Sequence, residues 1–171
     1  MKRLLLLAGV FLLALAPASK ARADAEQEVD SALNASLKWV GQIDSGAYDD
    51  CYMSGSNAFH EKVPQDQWDN ILKALRTPLG AVTSRKQISH IFKPNGFEGT
   101  AGEFMVITYD TEFKKLPNAT EVVVLRWEGG KWRGAGYNAG GKPSEDAIAQ
   151  GQSGASSTEV NTQMHFKPDP K

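Results

Sequence analysis

Residues 121–137 read Glu-Val-Val-Val-Leu-Arg-Trp-Glu-Gly-Gly-Lys-Trp-Arg-Gly-Ala-Gly-Tyr. The Gly129-Gly130 pair between Glu128 and Lys131 signals a two-residue hairpin, whose tight turn needs positive φ at its central positions. That turn sets a register. Glu128 faces Lys131, Trp127 faces Trp132, Arg126 faces Arg133, Leu125 faces Gly134 and Val123 faces Gly136. Large side chains on the first strand thus oppose little or nothing on the second. The result is either a gap for a helix side chain to fill or a groove. Arg126 opposite Arg133 weakens the sheet slightly unless an acid or a partner sits between them.

Working back from the hairpin, a period of two continues. Thr120 to Trp127 carries Val122, Val123, Val124 and Leu125. Lys114 to Ala119, with Pro117, reads as a turn. Glu103 to Phe113 is a strand with Met105, Ile107, Tyr109 and Phe113 on one face and Phe104 and Val106 on the other. Lys93 to Gly102 reads as a mobile glycine-rich loop. Val82 to Phe92 is the first strand, with Ile88, His90 and Phe92 on one face.

Before Pro78 the period is helical. Trp68, Ile71, Leu72 and Leu75 lie at i, i+3, i+4 and i+7, Pro64 suits the first turn, and Pro78 ends the helix. Asp24 to Ser45 is a long helix with Val29, Leu33, Leu37 and Val40 on one stripe and Trp39 and Ile43 beside it. Its start is acidic, as the helix dipole favours, and Gly46 is its stop. A further helix is expected from Ala47 to about Phe59. Three helices followed by antiparallel strands make an α+β fold, with the helices packed on a curved sheet of about four strands.

The two ends differ in character. Met1-Lys2-Arg3, the 13-residue apolar run Leu4 to Ala16, and Ala21-Arg22-Ala23 read as a cleavable export signal over residues 1–23. The run is shorter than the roughly 20 residues that a membrane-spanning helix needs. The single domain is then 24–139, and 140–171 is a polar, glycine- and serine-rich flexible tail. The signal is bacterial in style, so the expected location is the periplasm or the medium.

Composition narrows the function. Taking the four basic residues of the signal (Lys2, Arg3, Lys20, Arg22) from 19 leaves 15 against 20 acids, a net charge of −5. An acidic domain argues against nucleic-acid binding and against docking on an anionic membrane. One cysteine, Cys51, excludes an internal disulfide framework and any multi-cysteine metal site.

Several segments resemble the bacterial family known as domain of unknown function 4019. They are Trp39 to Tyr48, Trp68, Arg76-Thr77-Pro78-Leu79-Gly80 leading to Ser84-Arg85, Tyr109 to Phe113, Glu121 to Val124, and Trp132 through Gly136-Tyr137. The resemblance spans roughly Ala25 to Asn138. It implies a secreted protein with the cystatin-like cone of the nuclear-transport-factor-two superfamily, and it implies no activity. The chain departs from the family pattern at Cys51-Tyr52, where a Trp is common, and at Gly134, where an aliphatic residue is common.

No motif for catalysis, cofactor or metal is present. His60, His90 and His165 make no His-x-x-x-His or Glu-x-x-His pair. Cys51 has no basic neighbour to activate it, and reads as a buried structural residue. The cavity candidates of the cone are Asp44, Tyr48, Arg85 and His90, with Tyr109 and Tyr137 as hydroxyl donors. Asp44 or His90 beside a Tyr would serve acid–base chemistry of the isomerase or dehydratase kind. Alternatively Asp44 ends its helix, Tyr48 packs in the core, and Arg85 pairs with an acid, Asp44 being the first choice. The function expected is a non-catalytic binding or interaction module of the cell envelope. The small cone enzyme is the alternative. The partner would be a small molecule or an envelope protein, and a homodimer joined through the sheet is a further expectation.

Overall fold

The computed structural model describes residues 18–142. Residues 1–17 of the segment read as an export signal and 143–171 of the tail lie outside them, whereas residues 18–23 already belong to the first helix, expected from Asp24, and 140–141 to the last strand. The elements are α1 (Ala18–Asp44), α2 (Tyr48–Met53), α3 (Asn57–His60), α4 (Gln65–Arg76), β1 (Val82–Lys93), β2 (Phe104–Phe113), β3 (Leu116–Glu128) and β4 (Lys131–Gly141). The strands form one open antiparallel sheet in the order β1-β2-β3-β4, and the helices pack on one of its faces. The fold is α+β, as the pattern of periods implies. Among the described residues no helix is long and apolar enough to cross a membrane.

The register of the last hairpin follows the Gly129-Gly130 turn as far as Leu125 opposite Gly134. There it slips. Val124 pairs with Gly136 and Val123 with Tyr137, so Ala135 is an extra residue, and the expected Val123–Gly136 pairing is wrong. A bulge turns the following side chains to the opposite face. It swings Tyr137 inward under the helices, where only 4% of it is exposed.

Gly134 lies under Trp39. A Cβ at this position would come within 2.0 Å of the Trp39 ring. The gap left by the small residues of β4 is therefore filled from α1. Trp39 stacks on Trp68 of α4 at 5.6 Å, with Phe59 edge-on to both, and its indole N–H donates to the Cys51 carbonyl at 2.8 Å. Seating Trp39 and Ile43 against the sheet sets the rotation of α1. Ala32, Ser36, Val40 and Ile43 are buried, whereas Leu37, expected on the inner stripe, is 49% exposed.

Two other elements differ from expectation. The helix expected from Ala47 to Phe59 is broken into α2 and α3. Gly55 bridges to Gly134 of β4, Ser56 N–H donates to the Gly134 carbonyl at 2.8 Å, and the Ser56 hydroxyl caps α3 by accepting from Phe59 N. A Cβ on Gly55 would meet Phe59 at 2.8 Å, so this crossing needs glycine. The turn expected over Lys114 to Ala119 is shorter, since Phe113 already pairs with Leu116 and β3 begins there. The sheet is also curled. Phe92 of β1 and Trp132 of β4, on its two outermost strands, meet edge to face at 6.4 Å.

Candidate functional site

Six elements deliver polar side chains to one point beneath the helices. Asp44 ends α1, Arg76 ends α4, Arg85 lies on β1, Thr111 on β2, Glu121 on β3 and Tyr137 on β4. Inward parity explains the strand members. Glu121 shares its face with Ala119, Val123 and Leu125, all fully buried. Arg76 follows Trp68 and Leu72 at intervals of four along the buried stripe of α4.

The bonding is dense. Glu121 Oε1 accepts from Arg76 Nη1 at 3.2 Å, Arg85 Nη2 at 3.1 Å and the Tyr137 hydroxyl at 2.5 Å. Its Oε2 accepts from Arg85 Nε and from the Thr111 hydroxyl, both at 2.6 Å. Asp44 Oδ1 accepts from Arg76 Nη2 at 2.8 Å and Arg85 Nη2 at 3.1 Å, and Oδ2 accepts from Arg85 Nη1 at 2.8 Å. The Tyr137 hydroxyl in turn accepts from Arg76 Nη1 at 2.8 Å, and the Phe113 ring lies 4.6 Å from the Arg76 guanidinium. Two cations and two anions cancel. Each guanidinium bridges both carboxylates, the planar two-pronged recognition that arginine provides and lysine does not.

Charge and burial set the proton affinities. Burial works against the charge of Glu121, but hydrogen bonds from Arg85, Thr111 and Tyr137 outweigh it and hold the carboxyl below its ordinary range. Burial likewise disfavours the charged form of Arg85, and its bonds to Asp44 and Glu121 reverse the balance and hold it above its usual value. Burial and the neighbouring Glu121 push the Tyr137 phenol up. The cluster is therefore ionised at Arg85 and Glu121 and neutral at Tyr137 over the physiological range.

Of the sequence candidates, Asp44 and Arg85 meet as expected. Tyr48 is half-buried and packs against the core. His90 is exposed on β1 and contacts Gln87 at 3.2 Å; it stands outside the cluster. Tyr109 is directed elsewhere, donating to the Ser36 hydroxyl at 2.9 Å. Three central members, Arg76, Thr111 and Glu121, were not among the candidates. An acid at an inward position of a valine-rich strand was the available signal for Glu121. Cys51 is buried against Trp68, and its thiol is pushed up to about 12, first by burial, with Asp69 adding to the shift. Asp49 and Asp50, its sequence neighbours, are not the cause. Among the described residues no group of three or more His, Cys, Asp or Glu is placed to hold a metal ion.

Fold and site together define an α+β protein whose four-stranded antiparallel meander is tied to its helices by a buried ion network. The chain belongs to the DUF4019 family, proteins of unknown function, whose model matches residues 35–137. That span contains every member of the network. A search among curated proteins finds no match.

Proposed function

We propose that this protein is a non-catalytic interaction module of the bacterial envelope, exported by its first 23 residues to the periplasm or the medium and built as a cystatin-like cone. One observation supports the non-catalytic reading above the rest. Every oxygen of Asp44 and Glu121 already accepts from an arginine, a threonine or a tyrosine of the same cluster. A general base needs a lone pair directed at substrate and a proton affinity near the working pH. Glu121 has its lone pairs engaged and its proton affinity lowered. The network instead joins α1, α4 and all four strands, which suits a rigid carrier for a binding surface.

Export is supported by the charged start, the short apolar run and the Ala21-Arg22-Ala23 step. N-terminal sequencing of chain recovered from the periplasm is expected to begin at Asp24. Native mass spectrometry of that material tests the interaction reading. Complexes with a protein partner are expected. A small molecule released on unfolding, and retained only while Asp44 and Arg85 are intact, would overturn it in favour of the isomerase- or dehydratase-like enzyme.

A further inference from the structure

An open groove of about 450 Å³ runs between α1 and the outer edge of β4. Lys38 and Gln42 line it from α1, Asp50 and Met53 from α2, and Lys131 and Trp132 from β4. β4 is an outermost strand of the sheet, and its edge is only partly covered. The carbonyl of Gly134 accepts from Ser56 N–H at 2.8 Å, in a parallel bridge made by Gly55. Peptide groups alternate in direction along an antiparallel strand. Those of Trp132, two residues before Gly134, therefore point to the same edge as the Gly134 carbonyl. There, among the described residues, no backbone group meets them. The chain's own Ser54–Ser56 segment thus already shows the geometry of an added strand, and it stops one step short of Trp132.

The surroundings select what continues that strand. Lys38 and Lys131 are exposed and make no ion pair among the described residues, in a chain whose formal net charge is −1. Met53, 68% exposed, offers an apolar contact, and the buried Trp132 indole N–H has no acceptor. Trp39 seats on Gly134 and Gln42 bonds Ser54 at 3.0 Å. Trp39 and Gln42 thus hold α1 against this part of β4, and the charged side chains that line the groove are Lys38, Lys131, Arg133 and Asp50. Three cations against one anion favour an anionic occupant.

We propose that this groove docks an extended, acidic segment of a partner protein by strand addition to β4. The peptide's backbone would bond the Trp132 N–H and C=O, its carboxylates would meet Lys38 and Lys131, and an intervening apolar side chain would rest on Met53. A lipid headgroup would use the lysines but has no need of an open strand edge, which is why the peptide is favoured. The inference rests on the interaction-module reading and gives that module its ligand chemistry.

The test uses the whole chain and three fluorescein-labelled octapeptides, read by fluorescence anisotropy. One alternates glutamate and valine, the second alternates lysine and valine, and the third is the acidic peptide with N-methylated amides. The acidic peptide is expected to bind at least about tenfold tighter than either of the others. The double variant Lys38→Glu, Lys131→Glu should lose that binding and prefer the basic peptide, with an unchanged circular dichroism spectrum because both lysines are exposed. Equal binding of the N-methylated peptide would overturn strand addition. Indifference to the charge reversal, or binding of phosphatidylglycerol vesicles with no binding of peptide, would overturn the groove assignment. A partner complex in native mass spectra that survives the charge reversal would leave the interaction reading standing and refute this site alone.

Discussion

Replacing Glu121 by Gln exchanges one carboxylate oxygen for an NH2 group on a side chain that is fully buried, and the network predicts a large loss. The remaining amide oxygen can stay near Arg76 and Tyr137. The new NH2 group then faces Arg85 Nε and the Thr111 hydroxyl, both of which donate to Glu121 in the native protein at 2.6 Å. The contact with Arg85 becomes donor–donor, the Thr111 hydroxyl has to turn and accept, and two guanidinium groups are left with Asp44 as their sole anion in the cluster. Breaking a buried ion pair from one side costs about 3–5 kcal/mol. Urea unfolding reports this through the buried Trp39, Trp68 and Trp132. Asp44→Asn should cost less, because 26% of the Asp44 side chain is exposed and water screens the loss. The penalty should also depend on pH with a definite sign. The folded-state affinity of Glu121 for a proton is lowered. Its contribution is therefore present above the ordinary glutamate value of about 4.3 and lost as pH falls below it. The gap between native chain and variant should close on acidification. A Glu121→Gln penalty under about 1 kcal/mol at pH 7, or one that grows on acidification, would refute the network as a stabilising element.

Other perturbations bear on the core. Trp68→Ala removes a side chain with no exposure, stacked on Trp39, and should cost about 3–5 kcal/mol in the same urea assay. Gly134→Ala places a Cβ within 2.0 Å of the Trp39 ring and should destabilise by about 1–3 kcal/mol or more. Adding Trp39→Leu should recover part of that loss; simple additivity would contradict the seating of Trp39 on Gly134. Cys51, buried and with its thiol pushed up to about 12, should resist iodoacetamide at pH 8 until the chain is unfolded; rapid alkylation of the native protein would contradict its burial.

Much of the frame was legible because its signals are local. Two glycines at 129 and 130 set the hairpin register for four residue pairs, and the change of period near Pro78 separates helices from strands. What escaped depends on contacts between distant segments. The bulge at Ala135 lets Tyr137 reach Glu121 and Arg76, and nothing within Gly134-Ala135-Gly136 announces it. Leu37 satisfies the helical stripe as well as Trp39 does, and only the space above Gly134 decides which faces inward. Asp44 and Arg85 drew attention as charges at an element's end and on an inward strand. Arg76 also lay on a buried stripe, but as the last turn of a helix it reads equally well as a favourable charge at the negative end of the dipole. Glu121 was masked by the valines around it, although its parity placed it with Val123 and Leu125. The enzymatic alternative named Asp44 or His90 beside a Tyr, and only three-dimensional placement brings both arginines onto Asp44 and leaves His90 exposed on β1, away from the cluster.

The polar cluster under the helices is closed and self-neutralised. Carbon-13 NMR titration of the Glu121 carboxyl in the folded protein tests it most directly. The midpoint is expected below the ordinary glutamate value of about 4.3. The carbonyl shift should stay flat across neutral pH. A midpoint at or above that value would mean that the arginines do not hold Glu121 ionised, and that a carboxylic acid able to exchange a proton lies beneath the helices.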